Sequence, residues 1–371
     1  MKAKLLIFHP ALAPYRVDFF NLLSEHFDLT VVMQAREMGS QKFDQEKLMQ
    51  RVRFTLRYMP WTWIGDGRKV SLGYFRYIRE IRPDIVLGSE FGSNVLMPYL
   101  LRPFFRKKYK VWTSTDDSIE TTLRCRKLRG FFRRFLSLRI DGILFANADT
   151  REWFNAHLRP CSSAYVPIIA DETVIRRMIE EHLSVSAEWE RKYDLTERRR
   201  VLFVGRFDPV KNLHRLLEAF VKVRKDSVLL LVGSGEERPS LEEDVHRLGL
   251  EERVIFTGRW EMPELYQWYQ LADVMVLPSV TEAFGAVVGE ALQAGCPVVC
   301  SSEAGAAGLI RSGGNGEVVN PYDVPGIIGA IEKVLEREPA GSKYILRPSL
   351  MPSTLPTYLS DFTKTLYESL H

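Results

Sequence analysis

Short apolar runs alternate with helix-period segments along this chain, and the alternation occurs in two separate series. In the first series, Lys4–Phe8, Leu29–Met33, Ile85–Gly88, Lys110–Ser114 and Gly142–Ala146 read as strands. Between them, Tyr15–His26 carries Val17, Phe20 and Leu23 at helical spacing. Ser71–Ile81 reads as a helix stopped by Arg82-Pro83, and a basic helix separates the last two strands. A repeated strand–helix rhythm folds into a parallel, doubly wound sheet. The expected fold class is therefore α/β.

At Val166-Pro167 the rhythm breaks, and residues 171–200 form a highly charged, helical connector. A second series then starts, with strands at Val201–Val204, Ser227–Val232, Arg253–Phe256, Val274–Leu277 and Pro297–Ser301. Its helices are expected at Leu213–Lys222, Ser240–Leu248, Met262–Leu271 and Val287–Ala294. A length of 371 residues is comfortable for two domains. The reading is an N-terminal Rossmann-like domain over 1–170, the connector, a second Rossmann-like domain over 201–350, and a last helix within 351–371 that packs back on the first domain.

The sharpest local pattern is Thr281-Glu282-Ala283-Phe284-Gly285-Ala286-Val287-Val288-Gly289-Glu290. A strand ends just before it and a helix begins near Gly285. Unpaired N–H groups at a helix start attract an anion, and glycine there lets a ligand approach the backbone. Two carboxylates, Glu282 and Glu290, flank that point. A second pattern is Val204-Gly205-Arg206-Phe207-Asp208-Pro209-Val210-Lys211-Asn212, which sets two cations after another strand. Such cations suit a diphosphate in the crevice of an open parallel sheet, Arg206 as a fork and Lys211 as a point charge.

These segments resemble the retaining glycosyltransferase family 4 (glycosyl transferases group 1), whose fold is GT-B: two Rossmann-like domains facing across a cleft. Gly205-Arg206 with Lys211, the Glu282-x7-Glu290 spacing, Phe256-Thr257-Gly258 and Ala272-Asp273-Val274 with Pro278-Ser279 carry the likeness, which is strong over Val201–Asn320 and weak before it. The resemblance implies sugar transfer with retention from a UDP-, GDP- or ADP-sugar to a hydroxyl of a lipid-linked or saccharide acceptor, in surface glycan synthesis. It implies that Arg206 and Lys211 neutralise the leaving diphosphate, that Glu290 contacts the ribose and Glu282 the donor sugar, and that Gly258 and Arg259 border the base. Phe284, Gly285, Ala286 and Val287 complete the donor-binding set. With no Asp-x-Asp motif, neither a metal nor a cofactor is expected.

On the acceptor side, Pro14-Tyr15-Arg16-Val17 resembles the loop and helix start of bacterial members, with Arg16 facing donor phosphate or acceptor. Ser114-Thr115-Asp116-Asp117-Ser118 stands where many relatives have a His. Asp116 and Asp117 are candidates to bind or polarise an acceptor, or else to cap a helix. Between Tyr99 and Ile140, twelve Lys/Arg face three acids, against a net charge of +4 for the whole chain. The cations, from Arg102 to Arg139, are interleaved with Phe104, Phe105, Phe131, Phe132 and Phe135, a pattern that fits an anionic membrane surface. No nucleic-acid module accompanies them.

The apolar run Leu5–Phe8 is too short for a signal peptide or a spanning helix. Cys125, Cys161, Cys296 and Cys300 lack zinc spacing and read as free thiols of a reducing compartment. The expectation is a cytoplasmic protein, peripheral on the inner face of the cell membrane. Three rivals are set against this reading. A nicotinamide oxidoreductase requires Gly-x-Gly-x-x-Gly after a strand, where Pro10-Ala11-Leu12-Ala13-Pro14 stands instead. The others are an inactive sugar-nucleotide-binding scaffold and an epimerase or phosphorylase of the same fold.

Overall fold

The computed structural model describes residues 2–36, 45–60, 62–64, 68–71, 73–123, 127–158, 160–337 and 345–371. The chain divides into two compact units, Met1–Asp171 with Leu355–His371, and Glu172–Thr354.

The first unit is built on β1 (Lys4–His9), β2 (Asp28–Met33), β3 (Thr55–Tyr58), a hairpin of β4 (Thr62–Ile64) and β5 (Arg68–Val70), then β6 (Ile85–Ser89), β7 (Lys110–Thr115), β8 (Gly142–Phe145) and β9 (Ser163–Tyr165). Its main sheet runs β3-β2-β1-β6-β7-β8-β9, every neighbour parallel. Leu5, Leu6, Ile7 and Phe8 are all buried, so β1 is covered on both faces, as a parallel sheet requires. On one face Leu6, Phe8, Val86, Val111 and Phe145 pack with Tyr74, Tyr77, Val95, Leu136 and Phe154.

The helix Leu355–Glu368 also belongs to this unit. It buries Leu355, Leu359, Phe362 and Leu366, a single stripe at helical spacing. Phe362 meets Phe19 and Trp112, and Tyr367 stacks on Phe27 with its hydroxyl donating to the His26 carbonyl at 2.8 Å.

The second unit carries β10 (Arg199–Val204), β11 (Ser227–Val232), β12 (Val254–Gly258), β13 (Val274–Leu277), β14 (Val298–Ser301) and β15 (Gly316–Val319). They form one parallel sheet in the order β12-β11-β10-β13-β14-β15. The order reverses between β10 and β13, and the ends of these two strands flank the crevice where open α/β sheets bind ligands.

Within 171–200, expected as a charged helical connector, residues 172–192 form two helices, Glu172–Glu181 and Leu183–Lys192, that belong to this unit. The charge of the segment hides a buried stripe of Ile175, Ile179 and Trp189. Trp189 stacks on Trp268 with ring centroids 4.2 Å apart. Glu190 and Asp273 both face the buried Arg200, whose Nε and Nη2 donate to Asp273 at 2.9 Å each. The Glu190 helix is thus tied to β10 by an ion cluster inside the unit.

Candidate functional site

The second unit assembles most of the expected donor residues at the β10/β13 reversal. Past Val204, the chain passes Gly205 and the exposed Arg206, then a single tight turn over Pro209–Lys211. Asn212 follows in the left-handed region, φ +60°. Its side-chain amide donates to the carbonyls of Pro278 at 3.1 Å and Pro321 at 2.8 Å. The Val280 N–H donates to the Val210 carbonyl at 2.9 Å. These bonds stitch the loop after β10 to the loop after β13, and so bring Lys211 onto Glu282 as a direct ion pair. Both side chains are largely buried, at 14% and 17% exposure, so the pair is held far from bulk solvent. The buried Ser279 directs its hydroxyl at the same Glu282 oxygen, at 3.5 Å.

Gly285 caps the helix Ala286–Gln293 with φ +91°. A Cβ here would lie 2.8 Å from Leu277 Cδ2 and 3.3 Å from Glu282 Cγ. Glycine therefore satisfies both the backbone and the close packing of the strand end and the carboxylate. The first-turn N–H groups of Ala286 and Val287 have no intrahelical acceptor and open beside Glu282. Phe284 is buried, and its carbonyl accepts from the Ala306 N–H at 2.8 Å. Glu290 lies further along the helix. The hydroxyl of the buried Tyr269 donates to its Oε2 at 2.8 Å. Burial pushes the Glu290 carboxyl up, opposed by that hydrogen bond.

Three expected donor residues stand apart. Arg206 is 58% exposed and pairs with Asp208 at 3.0 Å. Gly258 ends β12, which β11 separates from β10, and Arg259 follows it and pairs with Glu261 at 2.9 Å.

A second polar cluster sits in the first unit at its own strand reversal, β1 against β6. The helix Pro14–His26 begins with proline in its first turn, which presets the backbone, and places Arg16 one residue pair later. Arg16 Nη2 lies 3.9 Å from Asp116 Oδ2. His9 at the end of β1 pairs Nδ1 with the Ala11 carbonyl at 2.9 Å. Burial, reinforced by the Arg16 charge, lowers its pKa to about 3, so His9 is neutral at any working pH.

Glu90, immediately after β6, is a residue sequence reasoning missed. It adopts φ +56° and stacks its carboxyl under the end of β7. Thr115 Oγ1 donates to Glu90 Oε2 at 3.1 Å and the Asp116 N–H to Oε1 at 3.3 Å. Burial and then the Asp116 carboxylate raise the Glu90 pKa well above its usual range. Burial also works to raise Asp116, but its hydrogen bond with Glu90 and the Arg16 charge hold it low.

Asp117 points elsewhere, into an ion pair with the buried Arg133, and its carbonyl accepts from Asn147 Nδ2 at 2.9 Å. The capping alternative for both aspartates is overturned. Ser118 caps the short helix Ile119–Leu123, accepting from the Thr121 N–H at 3.2 Å.

With this geometry in place, the comparisons establish the fold and show what the second unit resembles. Residues 185–346 match the family of glycosyl transferases group 1. The matched segment spans the Trp189 helix through the helix Val324–Leu335, and so contains Arg206, Lys211, Glu282 and Glu290. A glycosyltransferase of Methanocaldococcus jannaschii is 35% identical over 160 residues, 41% of each chain. A GDP-mannose-dependent alpha-(1-6)-phosphatidylinositol monomannoside mannosyltransferase of Mycobacterium tuberculosis is 29% identical over 206 residues, 53% of this chain and 52% of its own length. The chain thus spans about two fifths and about half of the length of these two relatives. Over its full length the fold is similar to Anabaena HepE in complex with UDP, with a TM-score of 0.72 at 16% identity, covering 99% of this chain and 97% of HepE. The two doubly wound units are those of the GT-B fold.

Proposed function

We propose that this chain is a glycosyltransferase that moves a sugar, with retention and without a metal, from a nucleoside diphosphate sugar to an acceptor hydroxyl. One observation carries the reading: Lys211, Glu282 and the Gly285 helix start are locked together at the sheet reversal of the unit that matches group 1. In this site Lys211, Arg206 and the first-turn N–H groups neutralise the departing diphosphate. Glu282 takes the donor sugar and Glu290 the ribose, while Gly258 and Arg259 border the base. Arg16 and Asp116 serve the acceptor side. HepE was crystallised with UDP, and the mycobacterial relative is GDP-mannose-dependent, so UDP and GDP head the donor candidates.

Thermal unfolding with UDP, GDP and ADP tests the donor assignment. One of the three raises Tm in the wild type, and Arg206→Ala removes that rise, because it deletes a charge-assisted contact of about 1.5–3 kcal/mol. A shift that Arg206→Ala leaves intact would sink the diphosphate role. Release of nucleoside diphosphate from the matching nucleotide sugar separates a transferase from a scaffold, which leaves the donor intact, and from an epimerase, whose product keeps the sugar–diphosphate bond.

The acceptor is proposed to be lipid-linked, reached from an anionic membrane surface. No helix among the described residues is long and apolar enough to cross a membrane. What supports surface attachment is Phe104 at 78% exposure and Phe131 at 63%, set among the exposed Arg106, Lys107, Lys108, Arg134 and Arg139. Arg102 and Arg133 of the same region turn inward, to Asp141 and Asp117. Arg124, Cys125 and Arg126, with the side chains of Lys127 and Arg129, lie outside the described residues. Co-sedimentation with phosphatidylglycerol-containing vesicles is expected at low salt and lost at about 0.5 M salt, where screening is within a few ångströms. Equal binding to pure phosphatidylcholine vesicles, or none to either, would refute the attachment.

A further inference from the structure

We infer that Tyr269 is a positioning residue for nucleotide recognition: it fixes the Glu290 carboxylate so that its free oxygen meets the ribose hydroxyls. The inference rests on the donor-site reading above and adds to it a residue from outside the Thr281–Glu290 segment.

Glu290 sits half-buried on a helix, where a Glu side chain has three torsions to settle and little water to solvate it. The hydroxyl of Tyr269 donates to Oε2 at 2.8 Å. That bond supplies a solvating partner to one oxygen and leaves Oε1 as the acceptor for a ligand. A ribose diol offers two hydroxyl donors, and an ionised, oriented carboxylate is its natural partner. Tyr269 itself has no freedom to move away. Its ring is fully buried on the helix Glu264–Leu271, which precedes β13.

The surrounding backbone fixes both helices at once. The buried Arg347 donates through Nη1 to the Ala272 carbonyl at 2.8 Å and through Nη2 to the Tyr269 carbonyl, closing the C-terminal end of the Tyr269 helix. Three residues on, the Leu350 N–H donates to the Leu292 carbonyl at 2.8 Å, on the Glu290 helix. Arg176 joins the two by donating to the carbonyls of Arg347 at 2.9 Å and Gln293 at 3.1 Å. The segment 347–350 is therefore a brace across the helix that holds Tyr269 and the helix that holds Glu290. Their 2.8 Å bond is thus set by packing within the unit.

The experiment compares Tyr269→Phe with the wild type in binding UDP, GDP and ADP and their 2′-deoxy counterparts, by calorimetry. The wild type prefers the ribonucleotide of the matching base. Tyr269→Phe weakens the ribonucleotide about tenfold, the size of one hydrogen bond to a charged group, and leaves the deoxynucleotide within about twofold. Glu290→Gln shows the same loss of ribose preference, and the double variant is no worse than Glu290→Gln alone, because Tyr269 acts through that carboxylate. A Tyr269→Phe protein that weakens ribo- and deoxynucleotide equally has lost pocket shape, and the inference fails. Unchanged ribonucleotide affinity in Tyr269→Phe overturns it as well. A wild type that binds all six nucleotides without ribose preference overturns the ribose role of Glu290 and this inference with it. A wild type that binds none of the six overturns the donor-site reading itself.

Discussion

Replacing Lys211 with methionine is expected to slow sugar transfer about 10²–10³-fold, the range found when one preorganised donor is removed from a developing negative charge. The argument runs from burial. Lys211 and Glu282 form an ion pair at 14% and 17% exposure. An ammonium held there, beside unpaired N–H groups of a helix start, acts at low local dielectric and needs no reorganisation when a diphosphate leaves. The same burial makes the variant ambiguous if read alone. Methionine leaves Glu282 without its cation, which costs about 1–3 kcal/mol of stability and could lower activity by disordering the loop. The double variant Lys211→Met/Glu282→Gln separates the two effects. Removing both charges of a buried pair restores most of the stability. Transfer stays low in the double variant because both functional groups are gone. The chemical role is wrong if Lys211→Met retains transfer within about fivefold, which is about 1 kcal/mol, once Tm is accounted for. It is equally wrong if the double variant recovers activity together with stability.

How much of this was written in the sequence differs between the two units for physical reasons. Strands buried on both faces are continuous apolar runs, so β1, β2, β10, β11 and β13 were legible. The edge strands β3, β9 and β15 are half-covered or short and carry mixed residues. Nothing in their pattern set them off from loops. The helix Ser93–Leu101 contains Pro98, and proline argues against a helix interior unless packing tolerates it. In the segment 172–192 total charge masks a one-sided buried stripe of Ile175, Ile179 and Trp189. At the donor site, the residues that lie on one loop and one helix start were readable as a group. Tyr269 was not, because it meets Glu290 only through tertiary packing. Glu90 left a faint signal, an acid directly after a strand that ends in Gly88-Ser89, but its bond to Asp116 depends on the β6–β7 pairing.

Two glycines with nearly the same backbone make the second large prediction. Gly258 has φ +83° and Gly285 has φ +91°. Alanine at either position carries the left-handed penalty of about 1–2 kcal/mol. A Cβ at Gly258 meets nothing within 4 Å. Gly258→Ala should therefore lower Tm by only about 2–8 °C, at about 2–4 °C per kcal/mol for a unit of this size. A Cβ at Gly285 would stand 2.8 Å from Leu277 Cδ2 and 3.3 Å from Glu282 Cγ. Leu277 is fully enclosed at the end of β13, so the strand end or the Glu282 loop must shift. Overpacking of this kind adds about 1–3 kcal/mol. Gly285→Ala should then lower Tm by about 4–20 °C, measured by calorimetry. It should also reduce transfer at a temperature where the protein is still folded, because the methyl group presses on the stem of Glu282 and on the opening helix turn. Equal Tm losses in the two variants would mean the contacts around Gly285 relax freely. Full transfer in Gly285→Ala would mean that the Glu282 carboxylate needs no fixed place beside that helix start.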